Sequence, residues 1–218
     1  MKSALPKSTP LKLSKKKEVE TNQNSDHDDS QSELNSKQEL GKESHGFPIV
    51  AIGSSAGGLE AVTELLQNLS PTTGMAFIYV QHLSPDHKSI LPYLLSKVTQ
   101  MKVQDIDDME KMIPNNVYVI PYNKEIEVVD GHIKLIPRPE KRKSNLSIDL
   151  LFSSLAETHK ENVIGVVLSG NAHDGTAGLK EIKQAGGITF AQDDSAKFPS
   201  MPHSAIASGV VDFILSPK

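Results

Sequence analysis

From Phe47 onward, apolar and polar positions form blocks of two lengths. Longer stretches such as GLEAVTELLQNL (58–69) place apolar residues every three or four positions, as amphipathic helices do. The short, nearly continuous apolar runs are PIVAIG (48–53), MAFIYVQ (75–81), NVIGVVLSG (162–170), ITFAQ (188–192) and VVDFIL (210–215). Their alternation with helical segments predicts an α/β fold, a doubly wound, mostly parallel sheet with helices on both faces.

The alternation breaks over residues 117–137. Three short extended runs follow one another there: VYVIP (117–121), EIEVV (125–129) and HIKLIP (132–137). An Asp-Gly pair separates the last two, and this dipeptide is typical of tight hairpin turns. We therefore predict an antiparallel hairpin extension of the parallel sheet.

Helix start signals accompany two of the helical segments. Ser84 and Pro85 open a segment that reaches residue 98, with Pro92 placed where it would kink the helix. Ser147 is the predicted cap of the segment 147–160. Further helices are predicted over 175–187 and 201–209.

Composition divides the chain near residue 46. The 218 residues include 37% hydrophobic ones and carry a formal net charge of -4. Residues 1–45 contain almost no aromatic or β-branched side chains and predict a disordered polar tail, with a folded domain over 46–218. The lack of cysteine excludes disulfides and thiolate metal sites. No apolar run is long enough for membrane insertion, no secretion signal or nucleic-acid signature is visible, and a cytoplasmic location is expected.

Six small residues, Gly53 to Gly58, follow the first predicted strand. Gly53, Ser55 and Gly57 fit the G-x-S-x-G pattern of a nucleophile elbow, in which glycines make room for a sharp turn. A helix beginning near Gly57 and Gly58 would make the Ala56 N–H an oxyanion donor. Small-residue turns also bind phosphates, so the motif alone leaves both functions open.

Two nucleotide-binding motifs are missing from this turn. G-x-G-x-x-G is absent because Ser55 occupies the place of its second glycine, and no Gly-Lys-Ser/Thr follows to make a P-loop. The second strand ends in Gln81 and His82, where a dinucleotide site would have an acidic residue.

Three chemically useful side chains follow predicted strands. Ser55, His82 and Asp174 would meet at the carboxyl edge of a parallel sheet, where they could form a Ser-His-Asp triad. Each alone has an ordinary alternative, because His82 could be a satisfied polar group and Asp174 a helix cap.

The chain resembles the catalytic domain of the CheB-type chemotaxis protein-glutamate methylesterases, and most closely the esterase domain of CheB–CheR hybrid proteins. The resemblance covers residues 47–216. The matching blocks are IGSSAGGLEAV, VQHLSPDHKSILPYLL, PNNVYVIP, SIDLLFSSLAE, GVVLSGNAHDGTAGLKEIKQAGG and AQDDSAKFPSMPHSAI.

The resemblance implies a serine hydrolase that works through an acyl-enzyme. It makes Ser55 the nucleophile, His82 the base, Asp174 the orienting acid, and Ala56 and Asn171 the backbone donors to the oxyanion. The implied reaction is demethylation of glutamate γ-methyl esters and deamidation of glutamines, without a metal or cofactor. The alternative is a catalytically quiet interaction module that uses the same surface.

The resemblance also implies partners in chemotactic signal transduction. These are a methylated chemoreceptor-like protein and a CheR-type methyltransferase or a kinase module on another chain. Three departures from the family pattern stand out. The phosphorylatable receiver domain of this phosphorelay family is not recognisable within the 218 residues. His173 replaces a commoner Asn or Ser, and His203 stands in the usual place of an arginine.

Overall fold

A seven-stranded parallel sheet forms the centre of the fold. The computed structural model describes residues 46–82, 90–129, 131–138 and 146–218. The strands of the sheet are β1 (Ile49–Ser54), β2 (Ala76–Gln81), β3 (Lys102–Asp105), β5 (Asn116–Val119), β8 (Val163–Val167), β9 (Ile188–Gln192) and β10 (Phe213–Leu215). Their order is β10-β9-β8-β1-β2-β5-β3, and every neighbouring pair is parallel. The predicted fold class is confirmed.

A second sheet of three antiparallel strands replaces the simple hairpin predicted from the sequence. It consists of β4 (Glu110–Lys111), β7 (His132–Pro137) and β6 (Lys124–Val129), in the order β4-β7-β6. Strands β6 and β7 pair in antiparallel register from Val129 opposite His132, and Asp130 of the predicted turn lies outside the described residues. The prediction that VYVIP belongs to this extension is wrong, because β5 pairs in parallel with β2 and β3.

Helices cover both faces of the parallel sheet. They are α1 (Gly58–Asn68), α2 (Leu91–Leu95), α3 (Ser147–His159), α4 (Thr176–Gln184) and α5 (Ser200–Ala207). Val50 and Ile52 of β1 pack with α1 and α2, whereas Ile49 and Ala51 pack with α3, α4 and α5. This alternation along one strand is the two-sided burial expected of a doubly wound sheet. None of the helices in these described ranges is long and apolar enough to span a bilayer.

Two local predictions on helix starts and kinks are wrong, and others concern residues outside the described ranges. Ser147 is the first residue of α3 and its side chain does not cap the helix. Pro92 lies in the first turn of α2, where a proline causes no kink. The predicted tail (1–45), Ser84 and Pro85 lie outside the described residues. Strand β3 was not predicted, because its KVQD sequence is polar and only partly buried at the sheet edge.

Helices α3 and α4 approach each other closely at Gly178. A Cβ atom on this residue would lie 2.4 Å from Phe152 Cβ and 3.1 Å from the Asp149 carbonyl oxygen. Both contacts are with atoms that cannot move without shifting α3. A glycine is therefore required in α4 although it weakens the helix.

We predict that Gly178→Ala lowers the free energy of unfolding by about 1–3 kcal/mol, because overpacking outweighs the better helix propensity of alanine. Urea unfolding followed by circular dichroism measures the change. Gly46→Ala is the matched control, since a Cβ there meets no atom within 4 Å. A Gly178→Ala variant as stable as the wild type would contradict the close approach.

Candidate active site

The carboxyl ends of β1, β2 and β8 lie side by side in the sheet. Ser54 at the end of β1 is in register with Gln81 of β2, and Gly53 with Val167 of β8. Because the three strands are parallel, the residues that follow them emerge at one edge. Ser55, His82 and the loop that leads to Asp174 all begin there, as the sequence predicted.

His82 and Asp174 are in direct contact. The imidazole Nε2 lies 2.6 Å from Asp174 Oδ2, a distance typical of a charge-assisted hydrogen bond. The His82 side chain is 14% exposed and that of Asp174 only 2% exposed. The backbone also fixes His82, since its N–H donates to the Ser54 carbonyl at 3.1 Å. With Nε2 bonded to the acid, Nδ1 is the ring nitrogen available to a further partner.

The N-terminus of α3 holds the Asp174 carboxylate. Ile148 N–H donates to Oδ2 at 3.0 Å, while Asp149 N–H at 3.0 Å and Gly175 N–H at 2.9 Å donate to Oδ1. The first N–H groups of a helix have no partner within the helix, and its dipole favours a negative charge. Asp174 therefore supplies the cap that the sequence assigned to Ser147, and this bonding fixes the carboxylate against His82.

Asp149 makes the reciprocal contact from α3 to α4. Its Oδ1 accepts the Gly178 N–H at 2.8 Å, in the first turn of α4. Each of the two helices thus receives a carboxylate from the other segment. Burial raises the pKa of Asp149 to about 6, and the negative charge of Asp174 acts in the same direction. This role could not be predicted from the sequence, because Asp149 looks like an ordinary acidic residue in a first helical turn.

Backbone contacts fix the main chain at Ser55 from both sides. Its N–H donates to the Ser169 carbonyl at 3.0 Å, and its carbonyl accepts from Gly58 N–H at 3.0 Å and from Gln81 Nε2 at 3.3 Å. The residue is partly exposed. Among the described residues, no hydrogen bond joins Ser55 Oγ to His82. The structure thus places the serine at the predicted sheet edge without bonding its hydroxyl to the imidazole.

Each predicted turn glycine has a separate physical reason. A Cβ on Gly53 would lie 2.4 Å from Ile148 Cγ2, at the start of α3. A Cβ on Gly58 would lie 2.1 Å from Ser54 Oγ. Gly57 precedes α1 with a φ of 72°, in the left-handed region that other residues rarely adopt.

Ser169, which was not predicted as a site residue, follows β8 and hydrogen-bonds to the same turn. Its Oγ donates to the Ala56 carbonyl at 2.8 Å and accepts the Phe198 N–H at 3.0 Å. Its own N–H donates to Gln192 Oε1 at 2.9 Å. Its position in LSG, directly after a buried strand, is the signal that could have identified it.

The remaining candidate residues lie outside the His82–Asp174 contact. Asn171 and His173 are exposed, and His203 pairs with Asp194 at 3.1 Å on the surface. No hydrogen bond between described residues uses the N–H groups of Ala56 or Asn171. In the same ranges, no group of three or more His, Asp or Glu side chains is arranged to hold a metal ion.

We predict that Asp149 makes stability depend on pH. Its raised pKa means that the folded state keeps a proton which the unfolded chain loses between about pH 4 and pH 6, so its contribution to stability falls as pH rises through that window. Asp149→Asn keeps an acceptor for Gly178 but cannot ionise. Relative to the wild type, this variant should gain on the order of 1–2 kcal/mol between pH 4.5 and pH 7. Urea unfolding at several pH values measures the difference; a constant difference would contradict the prediction.

The chain is similar to known proteins over most of its length. Residues 50–218 match the family described as CheB methylesterase. The chain is 36% identical over 172 residues to a protein-glutamate methylesterase/protein-glutamine glutaminase of Photorhabdus laumondii, covering 77% of this chain and 49% of that protein. It is 34% identical over 172 residues to the enzyme of the same description from Salmonella typhimurium, with the same coverage. The chain thus spans about half the length of these curated relatives.

A solved structure has the same fold. The crystal structure of the Thermotoga maritima CheB methylesterase catalytic domain superposes with a TM-score of 0.72 at 28% identity. The match covers 79% of this chain and 94% of the Thermotoga chain. The family match covers residues 50–218, the part of the chain that contains Ser55, His82 and Asp174. This chain belongs to the CheB methylesterase family.

Proposed function

We propose that residues 46–218 form a serine hydrolase domain that removes methyl groups from glutamate γ-methyl esters of a signalling protein. The observation that carries the proposal is the 2.6 Å contact between His82 and the buried Asp174, at the sheet edge where the Ser55 turn begins. A histidine oriented by a fixed acid next to a serine is the arrangement used for nucleophilic catalysis. The names of the relatives support the choice of ester and amide substrates.

The first half-reaction transfers the acyl group to the enzyme. Ser55 Oγ attacks the ester carbonyl carbon while His82 Nδ1 takes its proton, and the carbonyl π bond opens to a tetrahedral oxyanion. This step requires the Ser55 hydroxyl to lie within hydrogen-bond distance of His82 Nδ1. The N–H groups of Ala56 and Asn171 hold the oxyanion. The carbon–oxygen bond to the methoxy group then breaks, and His82 protonates the departing methanol.

The second half-reaction releases the acid. Water gives a proton to His82 as its oxygen attacks the acyl-enzyme, and collapse of the intermediate returns that proton to Ser55 Oγ. The products are a glutamate side chain and free enzyme. A glutamine substrate follows the same path, with ammonia leaving in place of methanol.

Asp174 acts through His82 in both steps. Its negative charge stabilises the imidazolium that forms when the base takes the proton, and the hydrogen bond fixes the tautomer. The backbone N–H groups at the start of α3 keep the carboxylate in place, so it need not reorganise during the reaction.

The proposed substrate is a methylated chemoreceptor-like protein, and a CheR-type methyltransferase or a kinase module on another chain would complete the system. Family membership supports the substrate class, and the block sequences resembling CheB–CheR hybrids support the methyltransferase. A cytoplasmic location of the domain would suit this substrate, in agreement with the location expected from the sequence.

We predict that Ser55→Ala abolishes methanol release from a methylated receptor preparation while the fold is retained, because no other hydroxyl can replace the nucleophile. Chromatographic quantification of methanol measures turnover, and thermal unfolding checks the fold. Ser54→Ala, which removes a neighbouring buried hydroxyl that does not react with the ester, should lower turnover far less than Ser55→Ala. Wild-type turnover in Ser55→Ala would overturn the assignment of the nucleophile, and no turnover in the folded wild type would favour a catalytically quiet interaction module.

A further inference from the structure

A chain of side-chain hydrogen bonds runs from the interior of the sheet to the Ser55 turn. Ser54 Oγ and Tyr79 Oη are 2.8 Å apart, Tyr79 Oη donates to Gln81 Oε1 at 3.1 Å, and Gln81 Nε2 donates to the Ser55 carbonyl at 3.3 Å. Ser54 and Tyr79 are fully buried. The three side chains thus connect two neighbouring strands to the residue proposed as the nucleophile.

The direction of every proton in this chain follows from the donors available. The Ser55 carbonyl can only accept, so the Gln81 amide must face it with Nε2 and keep Oε1 for Tyr79. The single Tyr79 proton is then used on Oε1, so Ser54 donates to Tyr79 Oη. Burial raises the pKa of Tyr79, which keeps the phenol neutral and able to donate. Hydrogen bonds aligned in one direction strengthen one another.

The chain ends on the peptide unit that links Ser55 to Ala56. A trans peptide is planar, and its C=O and N–H point in opposite directions. Gln81 and Gly58 hold the carbonyl end of this unit. Fixing that end also fixes the direction of the Ala56 N–H on the other side. The Ala56 carbonyl is held separately by Ser169 Oγ, so the next peptide cannot easily rotate either.

The residues around these hydrogen-bonded side chains leave room for the buried Ser54 hydroxyl. Ser54 occupies a buried position on the sheet face that also carries α1, where an apolar side chain would be the ordinary choice. Gly58 has to lack a Cβ because Ser54 Oγ would lie 2.1 Å from it. Two adjacent elements therefore accommodate one buried hydroxyl. Such a buried polar chain is costly unless every member is satisfied, and here each member has its partner.

We propose that Gln81, supported by Tyr79 and Ser54, is a positioning residue that fixes the Ser55–Ala56 peptide so that its N–H stabilises the oxyanion of ester hydrolysis. The inference rests on the proposed function, since it assigns Gln81 a part in that reaction. Gln81 touches neither substrate nor reacting atoms and acts through the peptide alone.

The test is the kinetics of Gln81→Met, which keeps the size of the side chain but cannot hydrogen-bond to the Ser55 carbonyl. A misdirected donor stabilises the transition state less well but hardly changes the binding of the ester. We therefore expect kcat to fall about 10-fold with KM unchanged. A boronic acid that forms a tetrahedral adduct with Ser55 should bind about 10-fold more weakly, as a transition-state analogue does. The pH dependence of kcat/KM should keep its wild-type midpoint, because His82 is not affected.

Tyr79→Phe provides a second, milder variant. It removes the donor to Gln81 while keeping the ring, and we expect kcat to fall about 3-fold. The double variant should be no slower than Gln81→Met, because both residues act in series on one peptide. Additive losses in the double variant would contradict the chain. Endpoint labelling of Ser55 by a fluorophosphonate counts the folded sites, so that kcat refers to folded enzyme alone.

Two control variants remove similar groups elsewhere. Tyr118→Phe deletes a buried phenol that accepts the Ile113 N–H, and Gln104→Met deletes an amide that donates to Glu110. Both should leave kcat unchanged. If Gln81→Met has wild-type kcat while Ser55→Ala is inactive, the positioning role is overturned and the proposed function stands. If Ser55→Ala releases methanol at the wild-type rate, the proposed function fails, and this inference fails with it.

Discussion

The arrangement of this domain depends on one interaction, the capture of the Asp174 carboxylate by the first turn of α3. Three backbone N–H groups, from Ile148, Asp149 and Gly175, bind it in a site that is almost closed to water. A buried carboxylate without such donors would be unstable, and the first turn of a helix without an acceptor would leave its N–H groups unpaired. The carboxylate accepts the hydrogen bonds that these N–H groups would otherwise lack. This bonding fixes the position of α3 relative to the loop after β8.

The same contact explains why the surrounding sequence is so restricted. Ile148 presses against Gly53 at the end of β1, and Gly178 lets α4 come close enough for Asp149 to reach its first turn. A side chain at either glycine would push α3 away from the strand ends. His82 would then lose the acid that orients it. Packing and electrostatics are therefore coupled here, because the glycines permit the distances at which the carboxylates act.

The sequence predicted the layered fold and the three strand-end residues, because strand periodicity and parallel topology are local and general properties. It could not predict that β5 joins the parallel sheet, since a short apolar run has no signal for its pairing partner. The cap of α3 was wrongly assigned to Ser147 because local patterns cannot show the contribution of Asp174, whose carboxylate accepts the N–H of Ile148 from 26 residues away. Tyr79 was missed because its partner Ser54 lies 25 residues away, and Ser169 because its partners Ala56 and Phe198 lie 113 and 29 residues away.

The side chain and the backbone of Ser55 differ in how strongly hydrogen bonds restrain them. Exposed side chains exchange between staggered rotamers in picoseconds to nanoseconds, so the partly exposed Ser55 hydroxyl can sample several directions. The peptide that follows Ser55 has no such freedom. Gln81 and Gly58 donate to its carbonyl, and Ser169 donates to the carbonyl of the next peptide. A side-chain hydroxyl can change direction by rotation about one bond. The Ala56 N–H can change direction only if the hydrogen bonds to the neighbouring carbonyls break. The hydrogen bonds at this sheet edge thus restrain the backbone of the turn and the Asp174 carboxylate, whereas no hydrogen bond between described residues restrains the Ser55 hydroxyl.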